Sequence, residues 1–304
     1  MTTAPVETAG LCKVYGGRTV VHDVTLTVPE GSIMGIVGTN GAGKSTCLNM
    51  MTGLIRPSVG QIRVLGVDPA EPGGDVRQQV GYVTDQDYFF HSFTVGEMVD
   101  YGRRTYRHWD DGRARVLLDS FALPADRPVR SLSKGMRVQL AFVSVLAMRP
   151  KLLILDEPTS GLDAVVRRQI LQLIVQEAAG GATVVIASHH LGELERIADR
   201  VAFFHEGRVV LQASTEDARQ EVRRIQAVFP NGLPEALRSA PEVMRVEETG
   251  GVYNLIVHQD AGRVLALCRE HQPIFVEEMD VDFEELFIHI MHREGYAGEP
   301  IILA

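Results

Sequence analysis

The segment Gly38-Thr39-Asn40-Gly41-Ala42-Gly43-Lys44-Ser45 has the GxxxxGK[ST] spacing with which a polypeptide wraps a phosphate. Its glycines let successive backbone N–H groups point inward around a β-phosphate. Lys44 can reach the β- and γ-phosphates, and the Ser45 hydroxyl can ligate Mg²⁺. Far downstream, Leu152-Leu153-Ile154-Leu155 runs into two adjacent carboxylates, Asp156 and Glu157. Neighbouring side chains leave a strand in different directions, so the pair can divide its work. Asp156 would face a magnesium shell and Glu157 an attacking water, because phosphoryl transfer needs a metal to neutralise charge and a base to orient the nucleophile.

Such residues act only where secondary structure aims them. Ser32 to Val37 is a short apolar run that predicts a strand entering the glycine-rich turn, and Lys44 to Met51 predicts the helix that leaves it. Leu152 to Leu155 and Thr183 to Ala187 are apolar throughout, as suits parallel strands covered on both faces. Val201 to His205, then Glu206-Gly207, then Arg208 to Leu211 predicts a closing hairpin. Between these lies a stretch with helical spacing, Thr94 to Met148, marked by Val95, Met98 and Val99, by Val116, Leu117 and Phe121, and by Leu140, Val143 and Ala147. After Thr215 the pattern turns to short strands (Val243 to Val246, Tyr253 to Val257, Ile274 to Glu277) alternating with helices (Gly262 to His271, Phe283 to His292). The expected architecture is an α/β phosphate-loop core over residues 6–214 with a helical insertion, followed by a small α+β domain over residues 215–304.

Composition agrees with a globular chain: 45% of the 304 residues are hydrophobic and 23% charged. No window offers the roughly 18 uninterrupted apolar residues of a spanning helix, and the first residues lack a cationic stretch followed by an apolar run, so the cytoplasm is the expected compartment. Cys12, Cys47 and Cys268 are few and far apart, which predicts neither a disulfide framework nor a metal knuckle. Cys47 opens a helix, a place that can lower a thiol pKa, but a buried packing cysteine is the expectation. The net charge of −9 argues against a protein that works by neutralising nucleic-acid phosphates. The excess is local: residues 1–214 hold 22 basic and 22 acidic side chains, residues 215–304 hold 8 and 17.

Leu132-Ser133-Lys134-Gly135-Met136 shortly precedes Asp156-Glu157-Pro158-Thr159-Ser160-Gly161-Leu162-Asp163, and with the phosphate loop this order resembles the nucleotide-binding subunits of ABC transporters over about residues 6–215. The family's signature reads LSGGQ; here Lys134 and Met136 replace a glycine and the glutamine, while Ser133 and Gly135 remain. A helix from Met136 to Met148 is expected to follow, aimed at a γ-phosphate. The resemblance implies the remaining roles. Tyr15, in Lys13-Val14-Tyr15-Gly16, would stack on adenine. Gly38 through Thr46 would bind ATP, with Ser45 and Asp156 on Mg²⁺. Glu157 and His189 would be catalytic, His189 by contacting the γ-phosphate, and Asp163 would pass signals between facing sites. After Gly81-Tyr82-Val83-Thr84, either Asp85 or Gln86 would reach the metal or the water.

The resemblance further implies a head-to-tail homodimer, or a heterodimer with another ABC ATPase chain, because the signature serves the partner's nucleotide. It implies no nucleic acid, but a separate integral membrane permease that holds the protein peripherally on the inner face of the cell membrane. Tyr88, Phe89, Phe90 and Phe93 could anchor that permease or pack within the helical insertion. Phe93-Thr94-Val95-Gly96-Glu97-Met98, the residues Arg104 to Asp110 and the ending Phe283-Glu284-Glu285-Leu286-Phe287 resemble the export branch. The alternative class, a soluble ABC ATPase of translation or DNA repair, usually carries two fused ATPase domains or a long coiled coil, and neither is visible.

Overall fold

The computed structural model describes residues 4–72, 75–86, 88–258, 260–293 and 295. The chain divides into two compact units, Met1–Gln212 and Ala213–Ala304.

The first unit contains β1 (Val6–Tyr15), β2 (Arg18–Val28), β3 (Ile33–Gly38), α1 (Lys44–Met51), β4 (Val59–Val64), β5 (Val80–Thr84), α2 (Val95–Thr105), α3 (Asp111–Ser120), α4 (Lys134–Leu146), β6 (Leu152–Asp156), α5 (Ala164–Ala179), β7 (Thr183–Ala187), α6 (Leu191–Ile197), β8 (Arg200–His205) and β9 (Arg208–Ser214). Six strands form one sheet in the order β5-β6-β7-β3-β8-β9. Its central strands β3, β6 and β7 are buried along their whole length, which explains their unbroken apolar runs. The pairings from β5 through β8 are parallel. The β8–β9 turn has Glu206 and Gly207 both at positive φ, as a two-residue hairpin requires.

A second, antiparallel sheet, β2-β1-β4, was not anticipated from the sequence. The signal was present in the alternation of Val24, Leu26 and Val28, each fully buried while Thr25 and Thr27 are exposed. The core of the unit lies between the two sheets, where Leu48, Met50 and Met51 of α1 join Val24 and Leu26 on one side and Ile154 and Val185 on the other. Helices α2 to α4 form the expected insertion. Thr94 caps α2 reciprocally with Glu97, so the T-x-x-E spacing marks the helix start. The signature helix starts and ends two residues earlier than the sequence pattern suggests, at Lys134 rather than Met136 and at Leu146 rather than Met148. Ser133 is its N-cap, with its side chain accepting from the Met136 N–H, so the two intervening residues are already helical.

The second unit contains α7 (Thr215–Glu221), β10 (Val222–Val228), α8 (Glu235–Arg238), β11 (Val243–Thr249), β12 (Val252–His258), α9 (Ala261–Glu270), β13 (Phe275–Asp280) and α10 (Phe283–Arg293). Its four strands pair antiparallel in the order β11-β12-β10-β13. From β10 to β13 the elements run β-α-β-β-α-β, the ferredoxin-like arrangement. Three of these strands and two of the helices match the sequence expectation; β10, which pairs with both β12 and β13, lies outside it. One face of the sheet, with Ile225, Leu255 and Val257, packs with Val264 and Cys268 of α9. Arg224, the neighbour of Ile225 and therefore on the opposite face, pairs with Glu285 of α10.

Candidate active site

Register brings the chemistry together. Asp156 of β6 lies opposite Ala187 of β7, and Ala187 lies opposite Ile36 of β3, so the C-terminal ends of three strands open onto one edge. Two residues past Ile36 the phosphate loop begins. Gly38 must lack a side chain, since a Cβ would stand 2.6 Å from the Phe204 carbonyl oxygen. Gly43 takes φ 96 as the N-cap of α1, with the Val20 carbonyl at 2.8 Å from where its Cβ would be. The β8–β9 turn braces the loop from behind, with the Gly207 N–H donating to the Ala42 carbonyl at 3.0 Å. The contact with Val20 places the β1–β2 hairpin beside the loop, and Tyr15 at the end of β1 presents a half-exposed ring with the Lys13 amine 5.0 Å from its centre.

Lys44 is buried and folds back on the loop, donating to the Gly38 carbonyl at 2.7 Å and to that of Thr39 at 3.1 Å. Burial lowers its pKa, opposed by the nearby Glu157 and Asp156 carboxylates. Asp156 is also buried, and its Oδ1 has no hydrogen-bond partner. Burial raises its pKa; a hydrogen bond from Ser45 and the Lys44 charge oppose the rise, while Glu157 and Asp85 add to it. A buried carboxylate with an unsatisfied oxygen beside a serine hydroxyl suits a hard divalent cation that keeps most of its shell for water and phosphate. Among the described residues no group of three or more His, Cys, Asp or Glu is placed to hold a metal ion.

Glu157 sits at φ 52, a conformation rare for a residue with a side chain. Its N–H donates to the Ala187 carbonyl at 2.9 Å, which extends the β6–β7 pairing by one residue and carries the side chain toward the end of β7. There its Oε2 lies 2.7 Å from Nδ1 of His189. His189 is about half exposed and its ring leans on His190, 4.1 Å between centroids. The backbone N–H of His190 donates to the Ser188 hydroxyl at 3.0 Å.

Ser133, Gly135 and Asp163 gather in a second cluster. Gly135 packs beside Leu162 and Val166, while Asp163 caps α5 by accepting from the N–H groups of Val165 and Val166 at 2.9 and 3.0 Å. Asp85 and Gln86, equal from the sequence, differ here. Asp85 pairs with Lys134 at 2.7 Å and its charge is felt at Asp156, whereas the Gln86 backbone is engaged in a turn with the Thr84 hydroxyl. The aromatics that follow divide too: Tyr88 is exposed, while Phe90 packs on Phe93 and Tyr101. Tyr88, Phe89, Met98, Tyr101 and Val138 line a groove of about 410 Å³. Cys47 is fully buried and its thiol is pushed up to about 12, so it is inert packing.

One group of residues lies outside the sequence expectations. Glu193 of α6 accepts from the buried Thr159 hydroxyl at 2.7 Å and pairs with Arg167 at 3.3 Å; Arg167 also donates to the Leu162 carbonyl at 3.1 Å. A single carboxylate thus ties the helix after His189 to the loop that carries Asp163. No local signal announces the group, since Thr159 lies 34 residues from Glu193 in sequence.

The fold and site define a phosphate-loop nucleoside triphosphatase. The pattern of the ABC transporter family matches residues 21–160. The ABC transporter ATP-binding protein YtrB of Bacillus subtilis is 32% identical over 284 residues, covering 93% of this chain and 97% of the relative. The Nod factor export ATP-binding protein I of Rhizobium leguminosarum is 32% identical over 97% of both chains. Among solved structures, the dimeric cassette MJ0796 in a post-hydrolysis state with ADP and Pi superposes with a TM-score of 0.62 at 25% identity, over 69% of this chain and 98% of that one. The chain belongs to the ATP-binding subunits of ABC transporters, and is an ATPase of that family. Among the described residues no helix is long and apolar enough to cross a membrane.

Proposed function

We propose that this chain energises export through a separate membrane permease, hydrolysing ATP in a head-to-tail dimer with two nucleotides between the chains. In this reading residues 6–214 are the ATPase and residues 215–304 an accessory domain. Tyr15 stacks on adenine, and the backbone from Gly38 to Thr46 with Lys44 holds the phosphates. Lys44 is preset for this, since a triphosphate would replace the two loop carbonyls as its partner. Ser45 and Asp156 hold Mg²⁺, which when bound neutralises phosphate charge. Glu157 accepts the proton of the attacking water, oriented by His189, which also faces the γ-phosphate. Ser133 and Gly135 serve the nucleotide of the facing chain, and Asp163 connects the two sites. The dimeric form of the solved relative supports a shared site. The facing chain is a second copy or another ABC ATPase. The full-length likeness to a Nod factor export protein supports export. The permease would select the cargo and hold this chain on the cytoplasmic face of the membrane, with the groove beside Tyr88 and Phe89 as its contact.

The contact that carries this reading is the one between Glu157 and His189, at the mouth of the phosphate loop. Glu157→Gln should retain ATP affinity, lose turnover by about 100-fold or more and accumulate an ATP-bound dimer, because an amide cannot accept the proton. Steady-state hydrolysis and sedimentation with ATP and Mg²⁺ check this; wild-type turnover in the variant removes Glu157 from the role.

A further inference from the structure

Lys134 occupies an unfavourable place for a cation. It opens α4, at the positive end of the helix dipole, and the first turn contains no acidic residue to offset it. The compensating charge comes from outside the helix: Nζ lies 2.7 Å from Oδ1 of Asp85, with both side chains about half exposed. The lysine stem also crosses the loop between β6 and α5, where a Cβ on Gly161 would come within 3.2 Å of Nζ. One side chain therefore touches the loop after β5 and the loop after β6 while standing in the signature. Asp85, for its part, directly follows Thr84, which lies opposite Asp156 in the β5–β6 pairing, so the two carboxylates stand at the same strand ends and repel. Its charge can be satisfied from either of two directions, by the ammonium of Lys134 or by a cation held at Ser45 and Asp156.

We propose that Asp85 and Lys134 form an exchangeable ion pair within the chain, in which Lys134 is a positioning residue that holds Asp85 until magnesium and ATP compete for it. Loading of the chain's own site then releases the start of α4, and the signature is freed to face the second chain. This rests on the proposed function, in which the signature serves a partner, and takes Asp85 rather than Gln86 as the residue that reaches the metal. It gives the lysine a use that a glycine at the same position could not have. Glycine offers the partner's phosphate only backbone N–H groups, whereas Lys134 makes their presentation depend on what occupies its own chain.

The test is a double-mutant cycle on the full-length chain with Lys134→Met, Asp85→Asn and both together, and Lys134→Gly as an independent second variant. The first readout is the Mg²⁺ concentration that half-saturates binding of a fluorescent ATP analogue, measured at low and high salt. The second is the ATP concentration at which the dimer appears in sedimentation. With wild-type Asp85, both lysine variants should lower the Mg²⁺ requirement about two- to fivefold at low salt, the range of an exposed ion pair, and less at high salt. Dimerisation should shift to lower ATP in step. Asp85→Asn alone should raise the Mg²⁺ requirement, and in that background Lys134→Met should change nothing further. Equal shifts in both backgrounds, or no shift with either lysine variant, overturn the proposal. Failure of the underlying reading looks different: a wild-type chain that never dimerises with ATP removes the shared site, and an Asp85→Asn chain with an unchanged Mg²⁺ requirement removes Asp85 from the metal.

Discussion

The two units of this chain use their sheets in opposite ways. In the first, parallel strands joined by helical crossovers end on one edge, and that edge collects Gly38, Lys44, Asp156, Glu157 and His189 from three widely separated segments. In the second, an antiparallel sheet is joined mainly through helices, α9 packs on one face and α10 pairs with the other, and its edge strand β13 carries Glu277, Glu278 and Asp280. Edge acids of this kind discourage strand addition. The first unit is charge-balanced, while the second holds 17 acidic and 8 basic residues from position 215 onward. A parallel sheet with crossovers gathers distant residues at one end as a consequence of its topology. A sheet in which β10 and β11 run one way and β12 and β13 the other divides its loops between the two ends and gathers nothing comparable.

The contrast can be broken most sharply at Lys44. Lys44→Ala should weaken ATP binding about 100-fold or more, since a buried cation that faces phosphate is worth several kcal/mol when its partner is left uncompensated. Calorimetric titration with ATP checks this; unchanged affinity would mean that the loop is not the nucleotide site. The converse change lies in the second unit. Leu255→Ala removes a fully buried side chain from the core under α9 and should destabilise that unit by about 2 to 5 kcal/mol. ATP affinity should stay within about twofold, so denaturation followed by both nucleotide binding and far-ultraviolet dichroism would show one unit melting early with the site intact. Simultaneous loss of ATP binding would contradict independence of the units.

The smallest effect concerns Asp156, whose pKa is raised chiefly by burial. An acid with a raised folded-state pKa favours folding fully only below its unfolded value near 3.8, and that contribution is lost as pH rises through the folded value. Asp156→Asn should therefore stabilise the nucleotide-free chain at neutral pH by about 1 kcal/mol, the scale on which strained functional sites trade stability for activity. The gain should shrink toward zero as the pH falls to about 4. It should be accompanied by loss of the Mg²⁺ dependence of ATP binding. Melting curves of both proteins across that range, without nucleotide, check the sign; a variant less stable than wild type at neutral pH would mean that Asp156 is satisfied by its present neighbours.

Much of the first unit was legible from residues 32 to 51 and 152 to 187, because buried parallel strands need unbroken apolar runs and a phosphate loop needs glycines at fixed places. The antiparallel β2-β1-β4 sheet was less legible because its strands alternate and β1 is interrupted by irregular pairing around Leu11 and Lys13. In the second unit β10 was missed since Arg223, Arg224 and Gln226 break its apolar pattern, and only their partners Asp280, Glu285 and Asn254 make those positions tolerable inside the sheet.

Local sequence therefore determined the parts whose chemistry is local: the phosphate loop with its helix, the paired carboxylates at a strand end, and the cap at Thr94 with Glu97 three residues on. Tertiary structure alone decided which remote groups meet. It placed His189 against Glu157, set Glu193 between Thr159 and Arg167, and drew Lys134 to Asp85. The physical reason is that backbone preference and capping act over a few residues, whereas an ion pair or hydrogen bond between side chains far apart in sequence depends on strand register and crossover, which no short stretch of sequence encodes.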